Sequence, residues 1–374
     1  MNNRPPFTHL VQALPQTMSF IDPGTLERHS GRALKLRLGA NESSFGISPY
    51  AREAMREAVE CLTLYADPQS YDLRAKLASI HGITMKNLVV GSGIDDLIGL
   101  VVRTFIQRGE VAVTSFGAYP TFNDHVMGYG GQLHFVPYKD YYNDLQGLGE
   151  TAARLKARIL YLVNPDNPTG TNHTSASLQM LIEQLSPECL LLLDEAYIDF
   201  APTETVLPID PNNPRVIRLR TFSKAYGLAG ARIGYAIASQ ETIAAFEKIR
   251  LHFGVNRIAQ VGALASLHDP EFLCHTISAV EQGRHDYEIL AREQGFSILP
   301  SATNFVAINT GCSKRAKAIV KGLLERDVFV RMPSAPPLDQ CIRITIGTSQ
   351  ERNTFAEIFR ELLVSDKGVN FSFI

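Results

Sequence analysis

Between residues 88 and 237 the chain runs through seven short apolar stretches, at 88–90, 111–113, 133–136, 159–163, 190–193, 216–219 and 233–237. Most are unbroken rather than alternating, the pattern of strands buried on both faces. Helical periodicity separates several of them. In 175–185, for example, Leu178, Leu181, Ile182 and Leu185 share one face. Strands that alternate with helices leave one economical solution, an α/β fold with a mostly parallel central sheet and helices on both faces.

The flanks read differently. Residues 1–44 show no period and are expected to form an N-terminal arm packing with a small domain. Ser48-Pro49 is an N-cap followed by a first-turn proline. Ala51, Ala54, Met55, Ala58, Val59 and Leu62 then form an amphipathic stripe. Residues 45–250 are expected to form the large domain. Beyond it, helices at 258–267 and 276–294 precede strands at 305–308, 328–331 and 342–346, with further helices at 314–325 and 351–363. Residues 251–374 therefore read as a smaller α+β domain.

Composition removes several functions. Lys and Arg number 36 and Asp and Glu 38, a net charge of −2. Without a basic excess or a basic run, neither a nucleic-acid interface nor a polybasic membrane anchor is expected. The five cysteines are scattered and never form C-x-x-C, so neither a disulfide framework nor a metal site is expected. No run reaches 18 apolar residues, and the start lacks the apolar region of a secretion signal, so a cytoplasmic protein is expected.

In a parallel α/β sheet, ligands bind beyond the carboxyl ends of the strands. After 88–90 comes Gly91-Ser92-Gly93-Ile94-Asp95-Asp96, a tight turn into a helix whose first N–H groups suit a phosphate. After 159–163 comes Asn164-Pro165-Asp166-Asn167-Pro168-Thr169-Gly170, which ends its strand abruptly. Four leucines at 190–193 lead to Asp194, a carboxylate that wants a fixed cation. Magnesium would suit a nucleotide-hydrolysing strand, but the chain contains no Gly-Lys pair for the matching phosphate loop. After 216–219, Lys224 lies among small and apolar residues with Arg232 eight positions on. A desolvated lysine near a cation has a lowered pKa and can form a Schiff base.

This order of parts resembles the fold-type I pyridoxal-phosphate aminotransferases over most of the chain. The matching motifs are Asn167-Pro168-Thr169-Gly170, Asp194-Glu195-Ala196-Tyr197 and Ser223-Lys224 with Arg232. Within that superfamily the chain is most similar to the histidinol-phosphate aminotransferases. The shared segments are Leu38-Gly39-Ala40-Asn41-Glu42, Tyr65-Ala66-Asp67-Pro68, Gly117-Ala118-Tyr119 and the segment from Cys341 through Arg343 to Thr348.

The resemblance implies pyridoxal 5'-phosphate as cofactor, held by Lys224 as an internal aldimine, with Lys224, Asp194 and Tyr119 as the catalytic set. Asp194 would pair with the ring nitrogen, Asn167 and Tyr197 would bond the ring's 3′ oxygen, and Tyr119 would stack on the ring. The phosphate would rest on the N–H groups of Gly93, Ile94 and Asp95, on Thr221 and Ser223, and on Arg232. Tyr65 would reach it from a neighbouring subunit, which implies a homodimer with shared active sites. Arg343, Arg331 and Asn41 would bind substrate.

The chain departs from that subfamily twice. Phe20-Ile21-Asp22-Pro23-Gly24 has no tyrosine where the family has one that touches substrate phosphate, and His252-Phe253 stands where Pro-Tyr is usual. The leading expectation is an aminotransferase working between histidinol phosphate, or another amino acid, and a 2-oxo acid such as 2-oxoglutarate. Its alternatives are a paralogue for a carboxylate-bearing, for example aromatic, amino acid and a decarboxylase of amino-acid phosphates on the same fold. A catalytically idle regulator is disfavoured because the cofactor residues are intact.

Overall fold

The structure is a computed structural model and describes residues 5–15 and 22–366. Phe20 and Ile21 of the tyrosine-free stretch, and the two chain ends, lie outside the described residues. The strands in chain order are β1 (Leu36–Arg37), β2 (Leu88–Gly91), β3 (Val111–Ser115), β4 (Gln132–Val136), β5 (Ile159–Val163), β6 (Leu190–Asp194), β7 (Val216–Thr221), β8 (Gly234–Ile237), β9 (Ser297–Ile298), β10 (Phe305–Asn309), β11 (Val328–Phe329) and β12 (Cys341–Thr345).

Seven of them form the central sheet in the order β2-β8-β7-β6-β5-β3-β4, in which only β8 runs against its neighbours. Both faces are buried. On β5 and β6, Ile159, Tyr161, Leu190 and Leu192 pack into one core, while Leu160, Leu162, Leu191 and Leu193 pack into another. That double burial is why the runs read as unbroken. The 133–136 run is an exception: β4 is one of the two edge strands of the sheet, and Phe135 is exposed.

A second layer holds the antiparallel sheet β12-β10-β9 against the helices Pro270–Glu293, Ser313–Leu324 and Ser349–Asp366, with its own core. The early segment β1 pairs in parallel with β11, so residue 36 lies beside residue 328.

Several elements differ from expectation. The helix from Pro49 ends at Ala58 and tightens into a 3₁₀ turn, which leaves Val59 and Leu62 exposed rather than on the inward stripe. The helix expected from 276 starts at Pro270, where Asp269 caps it by accepting from the Phe272 N–H. Strand 328–331 stops at Phe329, and Arg331 joins the backbone pairing through an isolated bridge to Arg343. In the arm, Asp22 caps a helix over Pro23–Ser30 that Gly31 closes at φ 68°. No helix among the described residues is long and apolar enough to cross a membrane.

Candidate active site

A cavity of about 930 Å³ opens beyond the carboxyl ends of β2, β3, β5, β6 and β7, roofed by the segment from Arg331 to Ala335. Of the residues singled out in the sequence, all but Gly93 and Tyr65 line it.

Asp194 closes the floor. It ends β6 with its side chain directed as those of Leu190 and Leu192, and it is 2% exposed. Its carboxylate accepts from the Tyr161 hydroxyl at 2.7 Å and the Ala196 N–H at 3.0 Å. No ion pair among the described residues reaches it. Burial pushes its pKa up to about 6. A carboxylate held this way has room for one more partner, and a cation fits it best.

Lys224 lies half-buried past the end of β7. Its ammonium donates to the Asn41 carbonyl at 3.0 Å and sits 5.7 Å from the Tyr197 ring centre. Burial, then the nearby Arg343, lowers its pKa to about 8. Asn41 is buried in a left-handed conformation, φ 55°. Its side-chain amide donates to the Tyr197 hydroxyl at 2.8 Å, and its N–H donates to Thr345 Oγ1 at 3.0 Å. One residue thus ties the lysine, the tyrosine and β12 together. Burial raises the pKa of Tyr197 to about 12, so it remains a hydrogen-bond donor.

At one end of the cavity, Gly93 precedes the helix Ile94–Phe105 at φ 91°, and no side chain caps that helix. A side chain at Gly93 would strike the Arg232 guanidinium, its Cβ lying 2.5 Å from Nη2. The glycine therefore lets Arg232 lie across the open helix start. Arg232 also faces Asp95 at 3.6 Å, and Asp95 accepts from the Tyr119 hydroxyl at 3.0 Å. Thr221 donates to Ser223 at 2.9 Å on the adjoining wall. Free N–H groups, hydroxyls and a guanidinium at one end, with a cation-seeking carboxylate and a lysine near it, fit a phosphorylated pyridine aldehyde.

At the other end, Arg343 on β12 donates to Asn167 Oδ1 at 2.5 Å and to the Gly39 carbonyl at 3.0 Å. Burial, with Arg331 adding to it, lowers its pKa to about 10. Arg331 stands opposite Arg343 in the antiparallel bridge, over the Phe329 ring. Tyr65 is elsewhere. It is 82% exposed, outside the cavity, with its ring 4.9 Å from that of Phe253.

Tyr161 and the Phe116–Phe135 pair, whose rings meet edge to face at 5.7 Å on the cavity wall, were not among the residues expected at the site. Tyr161 had a partial signal, one hydroxyl in an aliphatic run, but the face it shares with Asp194 is set by the β5–β6 register. Phe135 had none, because its exposure depends on β4 being an edge strand.

The family model for class I and II aminotransferases matches residues 34–359. The chain belongs to that family. Within it the aminotransferase falls in the histidinol-phosphate subfamily. It is 34% identical over 343 residues to histidinol-phosphate aminotransferase 2 of Carboxydothermus hydrogenoformans, covering 90% of this chain and 94% of the relative. The crystal structure of histidinol-phosphate aminotransferase from Sinorhizobium meliloti in complex with pyridoxal-5'-phosphate superposes with a TM-score of 0.93 at 42% identity, over 97% of this chain and 99% of that one. A threonine-phosphate decarboxylase from Porphyromonas gingivalis, at 21% identity and a TM-score of 0.75 over 88% and 99% of the two chains, shares the fold alone. The enzyme is a pyridoxal-phosphate-dependent aminotransferase.

Proposed function

We propose that the enzyme transfers the amino group of histidinol phosphate to 2-oxoglutarate. The observation that carries this reading is the pairing of Arg331 with Arg343. Like charges directly opposite each other in an antiparallel pair are destabilising. Arg331 accordingly depresses the pKa of Arg343. A doubly charged anion relieves that repulsion better than a single carboxylate does. Histidinol phosphate and 2-oxoglutarate both bring about two negative charges near neutral pH. One guanidinium pair then serves both halves of the cycle. The Phe116–Phe135 wall offers the flat donor ring an apolar surface.

Bound pyridoxal phosphate supplies the electron sink for the bond broken at the donor carbon. Asp194 holds a proton on the ring nitrogen. Lys224 would carry the cofactor on its Nζ and would move the proton there, since a lysine near pKa 8 gives and takes protons readily. Asn167 and Tyr197 donate to the ring's 3′ oxygen, and Tyr119 covers the ring. The N–H groups of Ile94 and Asp95, with Thr221, Ser223 and Arg232, hold the phosphate, while the Gly93 N–H donates to the Gly91 carbonyl at 2.8 Å instead. Asn41 fixes the resting position of Lys224.

Residues 45–250 form the cofactor-binding domain, with 251–374 and the arm 1–44 forming the part that carries Arg343. Two copies share their sites in a cytoplasmic homodimer. Tyr65 and Phe253, whose rings touch, and Leu62, Leu64 and Leu251 close to them in the chain are all more than half exposed, apolar surface that supports such a contact.

The test is half-transamination of the holoenzyme against histidinol phosphate, aromatic amino acids and glutamate. Histidinol phosphate and glutamate should each convert the cofactor. If an aromatic amino acid converts it and histidinol phosphate does not, the substrate assignment is wrong. Borohydride reduction and peptide mapping should find the cofactor on Lys224, and light scattering should give twice the 41.3 kDa chain mass.

A further inference from the structure

We propose that Asp166 is a positioning residue for Asn167, acting through a buried brace made with Tyr138 and Asn143. The proposal rests on the reading above that Asn167 donates to the cofactor's ring oxygen.

Asp166 is 0% exposed. Four donors converge on its carboxylate and no cation among the described residues pairs with it. The Tyr138 hydroxyl lies at 3.0 and 3.2 Å from the two oxygens, and Asn143 Nδ2 at 3.1 Å. The Thr169 N–H and hydroxyl lie at 3.1 and 2.7 Å. Burial raises the pKa of Asp166, and the donors oppose that rise. A tight turn alone does not need this arrangement. An Asn or Ser side chain closes such turns without burying a charge. The distinctive part is where the donors come from. Thr169 belongs to the loop itself, whereas Tyr138 and Asn143 belong to the segment that follows β4.

Asn143 is in turn held by Ser115 at the end of β3, whose hydroxyl donates to it at 2.5 Å, and by His173, whose ring nitrogen lies 2.9 Å from its carbonyl. The other end of the loop is clamped too. The Asn164 N–H donates to the Asp194 carbonyl at 2.9 Å, and the Asn164 side chain brackets the His173 backbone. Asn167, with Pro168 beside it, lines the cavity between these two clamps. Its amide oxygen accepts from Arg343, which turns the amide nitrogen's donors toward other partners. Loosening Asp166 therefore frees the backbone that aims Asn167 without removing any side chain that lines the cavity.

A donor on the cofactor's ring oxygen draws off charge that would otherwise hold the proton shared with the lysine linkage. Weakening that donor raises the pH at which the holoenzyme's visible absorbance titrates. Loss of one such bond corresponds to about half to one pH unit upward. The experiment titrates the visible absorbance of the Asp166→Ala, Tyr138→Phe and Asn167→Ala holoenzymes beside the wild type, with thermal unfolding of each. Tyr138→Phe keeps the ring and removes a single donor, so it carries the test if Asp166→Ala does not fold.

The expected result is an upward shift in all three, largest for Asn167→Ala, with Asp166→Asn restoring part of it by keeping an acceptor for Thr169. If Asn167→Ala shifts the midpoint while Tyr138→Phe and Asp166→Ala leave it at the wild-type value, the brace is a folding element only and the proposal falls. If Asn167→Ala itself does not shift it, the donor role assigned to Asn167 is wrong, and the brace has nothing to position.

Discussion

Replacing Tyr161 with phenylalanine removes one oxygen from beneath the cofactor site and leaves the ring where it is. The ring stacks on Phe122 at 4.5 Å, a contact phenylalanine preserves. What disappears is the 2.7 Å hydrogen bond to Asp194, one of the two that the carboxylate accepts. A bond from a neutral donor to a charged acceptor contributes about 1.5–3 kcal/mol. At 1.36 kcal/mol per unit, its loss raises the carboxyl pKa by about one to two units. Starting from about 6, Asp194 in the cofactor-free variant titrates between roughly 7 and 8.

The consequence is pH-dependent. A neutral Asp194 must lose its proton before it can pair with the cofactor's ring cation. Near pH 6.5 this weakens cofactor binding by about three- to thirtyfold, whereas near pH 9 the carboxyl is ionised in both proteins and the difference fades. Fluorescence titration of the apoenzymes with pyridoxal phosphate at the two pH values reads this directly, with circular dichroism as the check on folding. Equal weakening at both pH values, or none at either, refutes the role given to Asp194 and its phenol.

Arg343→Lys loses the two-pronged geometry that engages Asn167 and Gly39 together, so the KM of both substrates should rise about tenfold or more; steady-state kinetics with unchanged KM would count against the anion clamp. Asp194→Asn should stabilise the cofactor-free protein while abolishing turnover. Because the folded pKa of about 6 exceeds the ordinary 3.8, the carboxylate costs roughly 3 kcal/mol above pH 6 and nothing below pH 4. The Tm advantage of the variant should therefore be present at about pH 8 and vanish on acidification. Glu195→Gln breaks a buried pair with Arg218 and Arg220, at 2.6 and 2.9 Å, and should cost about 3–5 kcal/mol in denaturant unfolding.

The sheet and one end of the site were legible because their information is local. A strand buried on both faces writes itself as an unbroken run, and the residue that follows it stands at the ligand edge. Asp194, Lys224 and the Gly93 turn each follow such a run. The partners of these residues were not legible, because pairing across the sheet is set by strand order. Tyr161 meets Asp194 only because β5 lies beside β6, in a register that sets Val163 against Asp194. Tyr138 and Asn143 read as ordinary loop residues until β4 and its following segment fold over Asp166. The antiparallel β8 also escaped, since continuous burial looks the same in either strand direction.

The charges in the cavity act on one another through Lys224. Its pKa is lowered first by burial, then by Arg343, with Arg232 adding to it. Those two arginines stand at the two ends where anions are proposed to bind. An anion at either end neutralises a cation that the lysine feels, and so raises its affinity for a proton. Substrate binding thereby strengthens the base that has to accept the proton. Acylation of Lys224 in the apoenzyme by acetic anhydride, followed across pH by peptide mass, should show a midpoint near 8. A dicarboxylate such as succinate should move that midpoint upward, and should fail to do so in Arg343→Gln. An equal shift in that variant would place the coupling elsewhere and remove Arg343 from control of the lysine.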